Sequence, residues 1–244
     1  MSFTDRPGAG PPTVYVHGLA ASSQTFDGVL ADARLSRYRA IRIDLLGFGA
    51  SDKPPDFGYT IEDHAATVVE LLDHLELTDF EVIGHSLGGA VAVLIAEALP
   101  GRVRGLVVAE ANLDPGGGGL SLPVARSSEV DYVATGYARN LADSAGVERA
   151  MMMAASPVAI HRTSLSLVEN TVPSIRERLQ ALKIPRTFLV GARSLAEPEL
   201  PSGESGEGLE SFGVTRIVVA DAGHSMLLEN PAGVAAAIAT AISA

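Results

Sequence analysis

Apolar positions along this chain alternate between two kinds of pattern. Short, dense, β-branched runs recur at Thr13–Val16, Ala40–Asp44, Phe80–Ile83, Gly105–Ala109, Arg186–Val190 and Thr215–Ala220. Longer stretches between them return their apolar residues every three or four positions. Ile61–Leu75 is one, with Ile61, Ala65, Val68, Val69, Leu72 and Leu75 along one stripe. Runs of strand length that are apolar throughout suit strands covered on both faces. Their alternation with helical patterns predicts a parallel sheet wrapped by helices. Leu87–Leu99 is apolar almost all round, as a helix pressed against such a sheet must be. Ala232–Ile242 follows Pro231, a residue suited to a first helical turn.

The rhythm breaks between the fourth and fifth short runs. Residues 115–183 are too many for a structureless loop in a compact domain, and their composition suggests helices broken near Pro123, Ser156-Pro157 and Pro173. The expected organisation is a core of residues 1–114 and 184–244 carrying a helical lid, residues 115–183. Gly116–Gly119 at its entrance reads either as a hinge or as a flexible exposed linker.

One segment carries chemistry. Gly84-His85-Ser86-Leu87-Gly88-Gly89 joins the run Phe80–Ile83 to the helical run beyond it. A serine flanked by glycines two residues either side, where a strand turns into a helix, has the form of a nucleophile elbow. The turn is tight enough to strain the serine's backbone, and side chains at the glycine positions would strike neighbouring backbone. A serine hydroxyl is a poor nucleophile at neutral pH and needs a base within reach. His224, in Ala222-Gly223-His224-Ser225, follows the last strand and precedes the last helix, so it falls at the same sheet edge as Ser86. The other histidines fit less well. His64 and His74 lie on a helix with polar faces, His161 lies in the lid, and His85 is expected to face away from a substrate. Met151-Met152-Met153 reads either as the wall of an adaptable apolar pocket under the lid or as ordinary lid packing. Ordinary packing is favoured because three consecutive positions cannot all face one way on a helix.

Together the elbow, His17-Gly18-Leu19, the turn Asp44–Ser51 and Gly223-His224 resemble the α/β-hydrolase superfamily. They occur in that family's order, over a span from Thr13 to the last residue. The resemblance implies Ser86 as nucleophile and His224 as base. It implies the backbone amides of Leu19 and Leu87 as the oxyanion hole, with His17 holding its own loop. The family usually places the acid in a Gly-x-x-Asp pattern after the strand that follows the lid. Here that stretch is Gly191-Ala192-Arg193-Ser194, with serine in the acid's place. Some members place the acid one strand earlier, where this chain has Glu110. A carboxylate ending the apolar run Leu106–Ala109 is costly without a partner, which favours Glu110. Glu197, Asp114 and a dyad without an acid remain as alternatives. Asp44 is expected to tie down its own turn.

The implied fold is a doubly wound α/β sheet, mostly parallel. Many members begin with an antiparallel hairpin, but only about a dozen residues precede Thr13. About six strands, all parallel, are therefore expected. The N-terminal tail or a partner chain, as in a homodimer, would cover the open edge. The implied activity is that of a serine hydrolase on a carboxylic ester, thioester or lactone, through an acyl-enzyme. A carbon–carbon bond hydrolase, a perhydrolase and a slow-turnover, receptor-like ligand binder use the same residues.

Composition narrows the partners. The net charge of −11 argues against nucleic acid and against an anionic membrane surface. The chain has no cysteine, which removes thiolate chemistry and disulfides. Met1–Pro12 lacks the apolar stretch of a signal peptide, and no apolar run approaches the ~20 residues of a membrane span. A cytoplasmic protein acting on a small molecule is expected. No metal-ligand spacing occurs. Gly47-Phe48-Gly49-Ala50-Ser51-Asp52 begins like a dinucleotide fingerprint, but it lacks the third glycine and runs into Pro54-Pro55. No cofactor or metal is implied.

Overall fold

A computed structural model of the chain describes residues 1–196 and 205–243. Among them, seven strands form one sheet: β1 (Ser2–Arg6), β2 (Gly10–Val16), β3 (Tyr38–Asp44), β4 (Phe80–His85), β5 (Val103–Ala109), β6 (Arg186–Gly191) and β7 (Thr215–Val219). Their order across the sheet is β1-β3-β2-β4-β5-β6-β7. The six strands predicted from hydrophobicity are β2 to β7, and all their pairings are parallel.

The seventh strand corrects the expectation of an all-parallel, six-stranded sheet. There is no hairpin, but the N-terminal tail forms β1 and pairs antiparallel with β3, from Ser2 opposite Asp44 to Arg6 opposite Ala40. Its residues Phe3, Thr4 and Asp5 are exposed, so no apolar run announces it. Backbone pairing and polar contacts hold it instead. Arg39 grips the Asp5 carboxylate with Nε at 3.0 Å and Nη2 at 2.7 Å. Arg6 donates to the carbonyls of Leu30 and Leu35. The tail thus covers the edge that β3 would otherwise leave open.

Helices cover both faces. Outside the insertion they are α1 (Asp27–Leu30), α2 (Ile61–His74) and α3 (Leu87–Ala98). The stretch between β5 and β6 holds α4 (Ser121–Ala125), α5 (Glu129–Asp131), a π-helical turn at Tyr132–Gly136, α6 (Tyr137–Asp143), α7 (Gly146–Met153), α8 (Pro157–Glu169) and α9 (Ile175–Ala181). The chain ends with α10 (Met226–Glu229) and α11 (Pro231–Ile242). Successive strand residues point to opposite faces. Val14 and Val16 join the cluster of α2 and α3, whereas Tyr15 joins the cluster of α11. Ser156 caps α8 with Pro157 at its first position, and Ser174 caps α9 just after Pro173. The predicted break at Pro123 instead falls inside the short helix α4.

His64 belongs to the core rather than to a polar helix face. It has no exposed surface and sits among Phe48, Phe57 and Tyr59, with ring centroids 5.9, 5.9 and 6.0 Å away. Its Nε2–H donates at 3.1 Å to Thr163 of α8, whose own hydroxyl donates to the Tyr59 carbonyl. Burial pushes the His64 imidazole down to about 3, and burial also lowers His17.

A histidine kept neutral by folding loses its contribution on acidification. Below its ordinary value near 6.5 the unfolded chain takes up a proton that the folded chain refuses. Unfolding free energy should therefore fall as pH drops from 6.5 towards 3, by at most about 1.4 kcal/mol per pH unit for each such group. Urea denaturation should show a lower midpoint at about pH 5 than at about pH 7. The gap should shrink in His64→Gln; an equal gap in that variant would assign the acid sensitivity to other groups.

Candidate active site

Parallel pairing brings the C-terminal ends of β2, β4, β5, β6 and β7 to one edge of the sheet. Ser86 stands there, between β4 and α3. Its backbone has φ 53° and ψ −121°, a strained region for a residue with a side chain. The close approaches around it explain the glycines. A Cβ on Gly84 would lie 2.1 Å from the carbonyl oxygen of Gly88, and one on Gly88 would lie 2.1 Å from that of Val16.

The structure brings Ser86, His224 and Glu110 into one chain of hydrogen bonds. His224 Nε2 lies 3.2 Å from Ser86 Oγ, and Nδ1 lies 2.9 Å from Glu110 Oε2. Glu110 directly follows β5, also with positive φ (40°), and has no exposed surface. Its Oε1 accepts from the Gly191 amide at 2.8 Å. Burial opposes its charge. The His224 hydrogen bond, the Gly191 amide, the charge of His224 and a hydrogen bond from Ser194 outweigh that cost and hold the carboxyl below its usual value. With Glu110 ionised, Nδ1 of His224 carries the proton and Nε2 is free to accept from the serine.

Of the alternative acids, Asp114 is engaged elsewhere: it accepts from Arg176 Nε at 3.0 Å on each oxygen, where the insertion begins. Glu197 lies outside the described residues. Ser194, where the family usually has aspartate, is buried and hydrogen-bonds Glu110.

The turn after β2 packs against the elbow. A Cβ on Gly18 would lie 3.3 Å from Ser86 Cβ. His17 ties this turn down: Nδ1–H donates to the Gly18 carbonyl at 2.8 Å and Nε2 accepts from the Leu45 amide at 3.0 Å. Asp44 accepts from the amides of Ser23 and Ala50, and holds the turn between β3 and α2. The Leu87 amide opens α3, where first-turn N–H groups lack intrahelical partners. Among the described residues, the amides of Leu19 and Leu87 have no hydrogen-bond acceptor.

Two neighbours escaped sequence reasoning. Asn112 is buried, and its Oδ1 lies 3.4 Å from Ser86 Oγ, a long contact competing with His224 for the hydroxyl proton. Only its proximity to Glu110 in the chain hinted at it. His85 does not face away; it lines the cavity beside Ser86. Its Nε2–H donates to the backbone carbonyl of His224 at 2.8 Å, so the elbow holds the base's loop. Burial, together with the neighbouring His224, pushes the His85 imidazole down to about 4.

Ser86 and His224 open on a cavity of about 910 Å³. Leu19, Met151, Met152, Leu167 and Leu228 supply apolar wall. Met151 and Met152 face inward, while Met153, 64% exposed, faces solvent. Among the described residues, no helix is long and apolar enough to cross a membrane.

The alpha/beta hydrolase fold profile matches residues 11–197. This chain belongs to the alpha/beta hydrolase family. Haloalkane dehalogenase 2 of Mycobacterium bovis is 37% identical over 101 residues, 41% of this chain and 35% of that protein. The match thus spans about a third of that curated relative. Among solved structures, an enol-lactonase from Burkholderia xenovorans superposes with a TM-score of 0.81 at 18% identity, covering 99% of this chain and 96% of that one. A thermophilic esterase from Thermogutta terrifontis superposes at 0.75 with 25% identity, covering 99% and 92%.

The hydrogen bond from His85 to a carbonyl requires a protonated Nε2. Imidazole nitrogen NMR should show this tautomer at neutral pH and a titration midpoint for His85 near 4. A midpoint near the ordinary 6.5 would contradict the arrangement.

Proposed function

We propose that this chain is a serine hydrolase that cleaves an ester, thioester or lactone of a small, uncharged substrate through an acyl-enzyme. The observation that carries this reading is the continuous Ser86–His224–Glu110 relay, with spacings of 3.2 and 2.9 Å. Ser86 Oγ attacks the substrate carbonyl and passes its proton to His224 Nε2. The Leu19 and Leu87 amides hold the resulting oxyanion. Glu110 offsets the imidazolium charge and fixes its tautomer. His224 then protonates the leaving oxygen or sulfur, and the acyl group stays on Ser86. Water, deprotonated by His224, attacks the acyl carbon and releases the acid.

Chemistry favours acyl transfer over halide displacement for this serine. Attack on a haloalkane would leave an ether on Ser86, which lacks a carbonyl for water to attack, so the enzyme would stop after one turnover. The thermophilic esterase and the enol-lactonase, both of closely similar architecture, are consistent with an ester or lactone substrate. Serine at position 194, where the family usually has its acid, would suit a receptor-like binder, whereas Glu110 at 2.9 Å from His224 supports the enzyme. The helical insertion, residues 115–183, is proposed to act as a lid, since Met151, Met152 and Leu167 wall the cavity from that side.

The test uses p-nitrophenyl esters and a fluorophosphonate. The wild type should turn over the esters and be labelled at Ser86. Ser86→Ala should lose both. His224→Ala and Glu110→Gln should each reduce kcat by roughly 10²- to 10⁴-fold with little change in KM and an unchanged circular dichroism spectrum. Undiminished turnover in Ser86→Ala would end the proposal.

A further inference from the structure

A second cavity, of about 500 Å³, lies beside the first. It is bounded by β1, the turn after β3, the segment Ser22–Gln24 and helix α7, and it is lined by Thr4, Ser22, Ser23, Ala50, Ala150 and Ala154 among others. The two cavities share one wall residue, Met151. Its side chain is 4% exposed. The backbone runs from one cavity to the other as well: Ala20 and Ala21 line the first, and Ser22 and Ser23 the second. The segment is anchored, because the Ser23 amide donates to Asp44 Oδ1 at 2.7 Å. Between the two cavities thus lie an anchored stretch of backbone and Met151. Methionine is the apolar side chain most easily repacked, having three rotatable bonds and no branch.

We propose that Met151 is the specificity-determining residue that sets how long a substrate arm the site accepts. The second cavity is an extension of the binding site held closed by its side chain. The inference rests on the hydrolase reading above, because it takes the arm to be the acyl chain of a substrate attacked at Ser86. Ala150 and Ala154, neighbours of Met151 in the chain, line the extension and suit methylene groups, and Ser22, Ser23, Thr4 and the ion pair of Arg42 with Asp27 line it too. Residues 146–153 form α7, so the thioether is delivered by the insertion while the reacting groups come from the sheet.

Truncating Met151 should join the cavities. For Met151→Ala, the ratio of kcat/KM on p-nitrophenyl decanoate to that on the acetate should rise by roughly tenfold or more, since each added methylene then finds apolar wall instead of a stop. Adding Ala154→Leu to Met151→Ala should refill the space and return the ratio towards the wild-type value. A folded Met151→Ala protein with an unchanged ratio would overturn the proposal. So would a raised ratio that Ala154→Leu fails to lower. A separate readout does not need turnover. In a Ser86→Ala background, calorimetric titration with decanoate and butyrate should show Met151→Ala tightening decanoate selectively. Should the wild type cleave no ester, the hydrolase reading fails while this binding comparison still decides whether Met151 closes the extension. Equal tightening of both acids would count against it.

Discussion

The carboxylate of Glu110, wholly removed from solvent, is the feature around which the site is organised. An ionised carboxyl in the interior costs far more than any single contact returns unless its oxygens are satisfied. The partners come from two separate stretches of chain: the Gly191 amide and the Ser194 hydroxyl at and just beyond the end of β6, and His224 Nδ1–H in the loop after β7. Each hydrogen bond to a charged group contributes roughly 1.5–3 kcal/mol. Withdrawing either loop would leave part of a buried charge unpaired. The need to satisfy one side chain therefore fixes the loops that carry the proposed base and orients its imidazole towards Ser86.

The sheet makes that arrangement attainable and also bears its cost. Positive φ occurs at Ala20, Ser86, Glu110 and Asp221, each in a loop leaving the C-terminal end of β2, β4, β5 or β7. Each such residue stores on the order of 1–3 kcal/mol. The central strands β4, β5 and β6, buried along almost their whole length, hold the strand ends in register and so sustain the strain. Gly191 shows how tight the fit is: a Cβ there would lie 2.4 Å from the carbonyl oxygen of Ala222, two residues before His224. The loops after β6 and β7 are in contact at the backbone, and they can only meet this closely where one of them has no side chain.

Much of this was legible in the amino-acid sequence. Strands β2 to β7 announce themselves as short runs rich in apolar, β-branched residues, and the bounds read from hydrophobicity differ from the observed ones by a few residues. Ser86 and His224 were readable from their strand-end positions. Glu110 was readable because a charge at the end of an apolar strand demands a partner. Strand β1 was not, because polar contacts and backbone pairing hold it and leave no hydrophobic period. His64 lies on the stripe of Ile61, Ala65, Val68 and Leu72 and is buried with them, so the helical period did place it inward, where it meets Phe48, Phe57 and Tyr59. Its polar character, not its position, suggested a polar face. Asn112 and the inward face of His85 depend on side-chain direction in loops, which no periodicity encodes.

The site divides its labour between the two parts of the chain. The sheet edge supplies every group placed to react: Ser86, His224, Glu110 and the amides of Leu19 and Leu87. The insertion supplies wall, through Met151, Met152 and Leu167. Several contacts join the two, and one of them reaches the loop of the proposed base. Ser225, next to His224, donates its hydroxyl to Glu148 of α7 at 2.9 Å. The loop of the proposed base is thus held from the sheet side by Glu110 and His85, and from the insertion side by Glu148. A shift of α7 would move Met151 and pull on the loop bearing His224 at the same time, because both are tied to one helix of eight residues. The proposed selection of chain length and the alignment of the proposed base would therefore be linked through α7.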